Sequence, residues 1–381
     1  MTKLNEFELQ SKTIDWLRFP LAILVLFAHM HPAVDIQSVD YLNLNLRSWY
    51  DIIGTLVSRT VSDIAVPCFF MFSGYLFFCK IQEWNKAVYL AKVQTRLRTL
   101  VVPYILFNLV AIILAALPRI LDGGIYHFLS QLLENWYRIF WNYSSWRVDE
   151  FNMFGLPMQP SFGPYVLPLW FLRDLIVMVF ISPVVYYWVK YTKIWGLAVL
   201  FFFYYTKLWV EIPGYSGRLF INAIFFFSIG AFLGVSKKNM VISLRKYQLV
   251  WLAVALTTMV FSTYFRETFY DRFFLPAFIL SGAISAVNIA SYFMERGKLR
   301  VRETLARASF FIYCTHVILI FAYTKKLFGF IFGAMLGADS IVGILATYFT
   351  APFACAGLIL SVYILMKRFT PRFLSVFTGN R

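Results

Sequence analysis

Val342–Met366 reads VGILATYFTAPFACAGLILSVYILM, 25 residues without a Lys, Arg, Asp or Glu. A helix needs about 20 apolar residues to cross about 30 Å of hydrocarbon, so this stretch is long enough to span a bilayer. FLRDLIVMVFISPVVYYWV at 171–189 is a second such run, and LAILVLFA at 21–28 is the apolar centre of a third. The whole composition agrees with them. Of 381 residues, 60% are hydrophobic, 20% are aromatic and only 14% are charged. Soluble domains carry about 45–50% apolar and about 25% charged residues. An excess of this size cannot be hidden from water, because surface must grow with volume. The sequence specifies an all-α polytopic membrane protein. A soluble enzyme, a disordered chain and a secreted disulfide scaffold are excluded, and a β-barrel needs an alternation that these runs lack.

Ten spans are expected, near residues 14–32, 60–79, 100–118, 166–189, 195–210, 218–235, 248–264, 273–293, 308–323 and 341–366. The fifth and ninth are short enough to be half-spans. Net charge is +16, from 35 Lys and Arg against 19 Asp and Glu. The basic residues sit in short clusters between spans, which points to a bilayer and excludes nucleic acid as the partner. About 23 of the 35 fall on the side that holds both termini, so both ends are expected in the cytoplasm of a bacterial inner-membrane protein. The chain is expected to form one membrane domain over 1–381, with no appended soluble domain. Cys68, Cys79, Cys314 and Cys355 lie in apolar stretches and read as buried thiols, and no metal-ligand spacing occurs. The long non-cytoplasmic loop at about 119–164 is rich in Trp, Tyr and Asn. Its rings suit an interfacial belt or a platform for sugar rings.

Ionisable groups inside a bilayer are costly and point to function. The first span places Arg18 and His29 eleven positions apart. On a helix they differ by about 20° and by about 16 Å along the axis, so they share a face. His31 points the other way and is expected to tolerate replacement. Pro20 is expected in the first turn, where proline is accommodated. Spacing alone leaves two readings open for the pair: a functional site, or an Arg that snorkels to headgroups and a His that caps the outer end.

Further elements stand along the chain: Phe72-Ser73-Gly74-Tyr75-Leu76-Phe77, then Arg96-Leu97-Arg98 leading to Pro103-Tyr104. Leu169-Trp170-Phe171-Leu172 follows, and last Ser309-Phe310-Phe311-Ile312-Tyr313-Cys314-Thr315-His316. With Arg18, ten residues and His29, these resemble, in order, the motifs of the acyltransferase-3 family of integral-membrane acyltransferases. The resemblance covers essentially the whole chain. It implies transfer of an acyl group, typically acetyl, from acyl-coenzyme A to a hydroxyl of a surface polysaccharide, a glycolipid or a related envelope acceptor.

Acyl transfer from a thioester needs a base at the acceptor oxygen and positive charge on the donor. His29 is the candidate base, since histidine titrates near neutral pH. Arg18 is the candidate for the donor, because a planar guanidinium suits a phosphate or a carbonyl. Arg96 and Arg98 are further candidates for phosphate contacts, with an ordinary positive-inside cluster as the alternative. Ser73, Trp170, Asp174, Tyr313 and His316 are candidates to line the site. No metal is expected. The competing reading is a secondary transporter or flippase of an envelope lipid or sugar precursor, which ten spans and a few buried charges would also serve.

Overall fold

In the computed structural model the described residues are 5–379, less 32–33, 147–149, 211, 213, 216, 319 and 338. The structure is 77% helical. Among the described residues, five helices are long and apolar enough to cross a membrane: Leu46–Phe78, Lys86–Leu121, Gly217–Val235, Asp271–Glu295 and Ile341–Phe369. Two bent pairs, Leu167–Phe180 with Ser182–Thr206 at 66° and Glu303–Thr315 with Ile320–Leu336 at 88°, bring the number to seven if each counts as one span. The chain is an all-helical membrane protein.

Several expected spans have different bounds. Ser182–Thr206 begins directly after the bend, with Pro183 in its first turn, where a residue without an N–H costs no hydrogen bond. The expected gap between the fourth and fifth spans is a kink at Lys193, whose φ is 53°. Gln248–Tyr264 has 17 residues and falls short of the length of the five. The long loop is partly built, with a helix at Ile125–Glu134 and two short antiparallel ladders, Ser144–Trp146 with Ser161–Gly163 and Glu150–Phe151 with Pro157–Met158.

The chain forms two compact units, Met1–Cys79 with Leu233–Ile364, and Lys80–Phe232 with Leu365–Arg381. The first unit is built around the helix Glu6–Phe27, which packs against Glu303–Thr315, Asp271–Glu295 and Ala65–Phe78. A capping box starts that helix: the Glu8 N–H donates to Asn5 Oδ1 at 2.8 Å, and the Asn5 N–H reaches back to Glu8 Oε2. Because the helix begins at Glu6, Pro20 lies in its interior and not in the first turn as expected. It leaves the Trp16 carbonyl without its usual i+4 donor. The buried Gln10 accepts from the Met240 N–H at 2.7 Å and ties the helix to Met240–Arg245. Gly234 lets the chain pass close to Ala65–Phe78, where a Cβ would stand 3.0 Å from the Cys79 nitrogen and the Tyr75 oxygen.

The second unit is fastened by polar groups buried among aromatic rings. Asn108 donates to Tyr104 O and accepts from the Val166 N–H at 2.9 Å, while the Tyr104 hydroxyl donates to Phe140 O. Arg173 is 2% exposed. It donates to Asp174 Oδ1 at 2.8 Å, to Trp141 O at 2.7 Å and to Phe162 O at 3.0 Å, with the Trp141 and Tyr215 rings against its guanidinium. One planar fork thus holds the start of the Trp170–Phe180 helix to both ends of the loop that carries the strands.

Candidate functional site

The first helix ends at Phe27, so His29 and His31 lie in the turn beyond it. The His29 N–H donates to Leu26 O at 3.2 Å, which continues the helical course for one more residue. The face shared with Arg18 therefore holds up to the helix end and no further. Arg18 stands on the helical part, 37% exposed, and pairs with Asp15 at 2.9 Å.

The side chain of His29 is exposed. Its ring lies 5.4 Å, centroid to centroid, from that of His316, at an interplanar angle of 35°, and 6.0 Å from Phe321. His316 follows the last residue of Glu303–Thr315, at the bend before Ile320–Leu336. It is fully buried. Its Nδ1 lies 2.7 Å from Tyr313 O, and a carbonyl only accepts, so this nitrogen carries the proton. Its Nε2 then presents a lone pair, and it has no hydrogen-bond partner among the described residues. The Tyr313 ring lies 6.0 Å from His316 and 6.5 Å from Phe69.

His31 has the opposite environment. It is buried, with Nε2 3.5 Å from Asp51 Oδ1 and its ring 4.8 Å from Tyr50. Arg47 holds the same carboxylate at 3.2 Å. Gly54 gives the ring its space, since a Cβ there would stand 2.1 Å from His31 Cδ2. The expectation that His31 is a tolerant position therefore needs correcting, because its ring fills a packed slot. Nothing in a local spacing rule distinguishes that slot from an open one.

The remaining candidates are distributed over both units. Ser73 is half-buried in Ala65–Phe78, in the unit that holds Arg18, His29, Tyr313 and His316. Arg96, Arg98, Trp170 and Asp174 belong to the other unit. Arg96 and Arg98 flank the start of a π-helical turn at Leu97–Val101. Asp174 is fully buried, bonded to Arg173 and accepting from the Tyr215 hydroxyl at 3.1 Å. Burial, with Asp174 next to it, pushes the Tyr215 hydroxyl above its usual pKa, so it stays a donor at neutral pH.

The family model described as an acyltransferase domain matches residues 11–366, more than nine-tenths of the chain. The chain belongs to the acyltransferase-3 family. It is a membrane acyltransferase. It is similar to the succinoglycan biosynthesis protein ExoH of Rhizobium meliloti (strain 1021), 24% identical over 351 residues, which cover 89% of this chain and 84% of that one. No solved structure matches the acyltransferase. The matched region contains Arg18, the turn with His29 and the bend with His316.

Proposed function

We propose that this protein transfers an acyl group, acetyl in the simplest case, from acyl-coenzyme A to a hydroxyl of a cell-envelope glycan. The observation that carries the reading is His29, exposed at the end of a charged helix with its ring against a buried histidine. The glycan acceptor is supported by the name of the relative, a succinoglycan biosynthesis protein. The setting is the bacterial inner membrane, with both termini in the cytoplasm, supported by the Lys and Arg asymmetry.

His29 takes the proton of the acceptor hydroxyl as its oxygen attacks the thioester carbon. The C–S bond breaks, and the departing thiolate takes that proton back from His29. The same residue also serves a two-step route, in which His29 first accepts the acyl group and then passes it to the acceptor. Arg18 holds a phosphate of the donor. Arg96 and Arg98 carry a separate proposal as phosphate contacts, supported by their place in a basic turn. Mass spectrometry of surface glycans from cells with and without the gene tests the reading. An acyl mass lost with the gene supports it, and identical glycans contradict it.

A further inference from the structure

The turn that carries His29 borders a cavity of about 240 Å³ in the first unit. Its wall includes Met30, Tyr50, Lys325, Ser340, Thr347 and Tyr348, and Lys325 is the charged residue among those that line it. Lys325 comes from Ile320–Leu336, a helix whose charges are Lys325 and Lys326 alone. Its ammonium donates to Met30 O at 3.3 Å, the carbonyl next in sequence to His29. One turn earlier on the same helix, Phe321 touches the His29 ring. The cation and the imidazole thus border adjacent ground.

Lys325 is exposed and lines the cavity, so its ammonium is open to a ligand. No carboxylate lies within 4 Å of Lys325 among the described residues, and the Met30 carbonyl takes only one of its three donors. The rest of the wall is neutral, with hydroxyls and glycines. A single ammonium among hydroxyls suits a carboxylate. Phosphate sites favour the bidentate guanidinium fork, although a lysine also serves them as a point charge. Ligand pockets usually measure about 300–1,000 Å³, so this volume fits one small group of a substrate and not a whole glycan unit.

The geometry points to Lys325 as the counter-charge for a substrate carboxylate, carried on the acyl chain or on the acceptor sugar. The inference rests on the reading of His29 as the reaction centre. It assigns the enzyme an acidic substrate, and Lys325 the part that selects it.

Binding without turnover tests it. The purified full-length protein is titrated with succinate, D-glucuronate or D-glucose while its thermal stability is followed. Saturable stabilisation by a carboxylate and none by D-glucose is expected. Succinate alone assigns the charge to the acyl chain, and glucuronate alone assigns it to the acceptor. Lys325→Met should weaken the effect at least about tenfold, and Lys325→Arg should keep most of it. A parent protein that no carboxylate stabilises overturns the inference, as does equal stabilisation of Lys325→Met. Because no transfer is measured, an inactive protein that binds carboxylate counts against the acyl-transfer reading alone. An active one that binds none counts against this inference alone.

Discussion

The rings of His29 and His316 lie 5.4 Å apart, one exposed and the other fully buried. The buried ring is locked by its Nδ1–H to Tyr313 O, so its Nε2 is fixed as an acceptor. No hydrogen bond joins the two rings among the described residues, so this lone pair would orient the base only with the substrate hydroxyl between them. His316→Asn keeps a donor near the Nδ1 position and removes the Nε2 lone pair. It should fold, bind donor as the parent does and lose at least about tenfold in kcat. An unchanged kcat would make His316 a packing residue.

Arg18 is the proposed contact for the acyl donor. Charge-assisted hydrogen bonds are worth about 1.5–3 kcal/mol, so Arg18→Ala should weaken acyl-coenzyme A binding about tenfold or more. Isothermal titration of the purified protein checks it, with Asp15→Asn as a control that breaks the 2.9 Å ion pair and leaves the guanidinium.

Arg173 should govern stability. Its removal leaves the buried Asp174 without its cation, and such a loss typically costs about 3–5 kcal/mol. Thermal unfolding should show Arg173→Ala strongly destabilised. Arg173→Lys should rescue little, since an ammonium does not reproduce the fork that reaches Trp141 O and Phe162 O.

The slot around His31 gives a further test. Gly54→Ala forces a methyl into the ring, and overpacking of this kind costs about 1–3 kcal/mol. Both Gly54→Ala and His31→Ala should lower the melting temperature. The protein that remains folded should keep most of its acyl transfer, because neither change removes the base. Loss of transfer at unchanged stability would place His31 in the chemistry.

The sequence shows the spans where apolarity alone defines them. Val342–Met366 corresponds to a helix at Ile341–Phe369, because an uncharged run of that length has one favourable conformation in lipid. The break at Ile181 is hidden inside another apolar run, with Pro183 as its one local sign. Arg18 and His29 are legible because they stand at a fixed spacing on one continuous segment, although the helix itself ends at Phe27. His316 is brought to His29 by packing between distant segments, and no spacing rule encodes that. The burial of His31 is equally silent, since it depends on Gly54, Tyr50 and Asp51 folding over it.

The role of His29 as the base is tested most directly by the rate of acyl transfer by purified His29→Ala protein, measured with labelled acetyl-coenzyme A and extracted envelope glycan. A fall of at least about 10²-fold is expected, with donor binding and melting temperature close to those of the parent. Transfer by His29→Ala at the parental rate would contradict it.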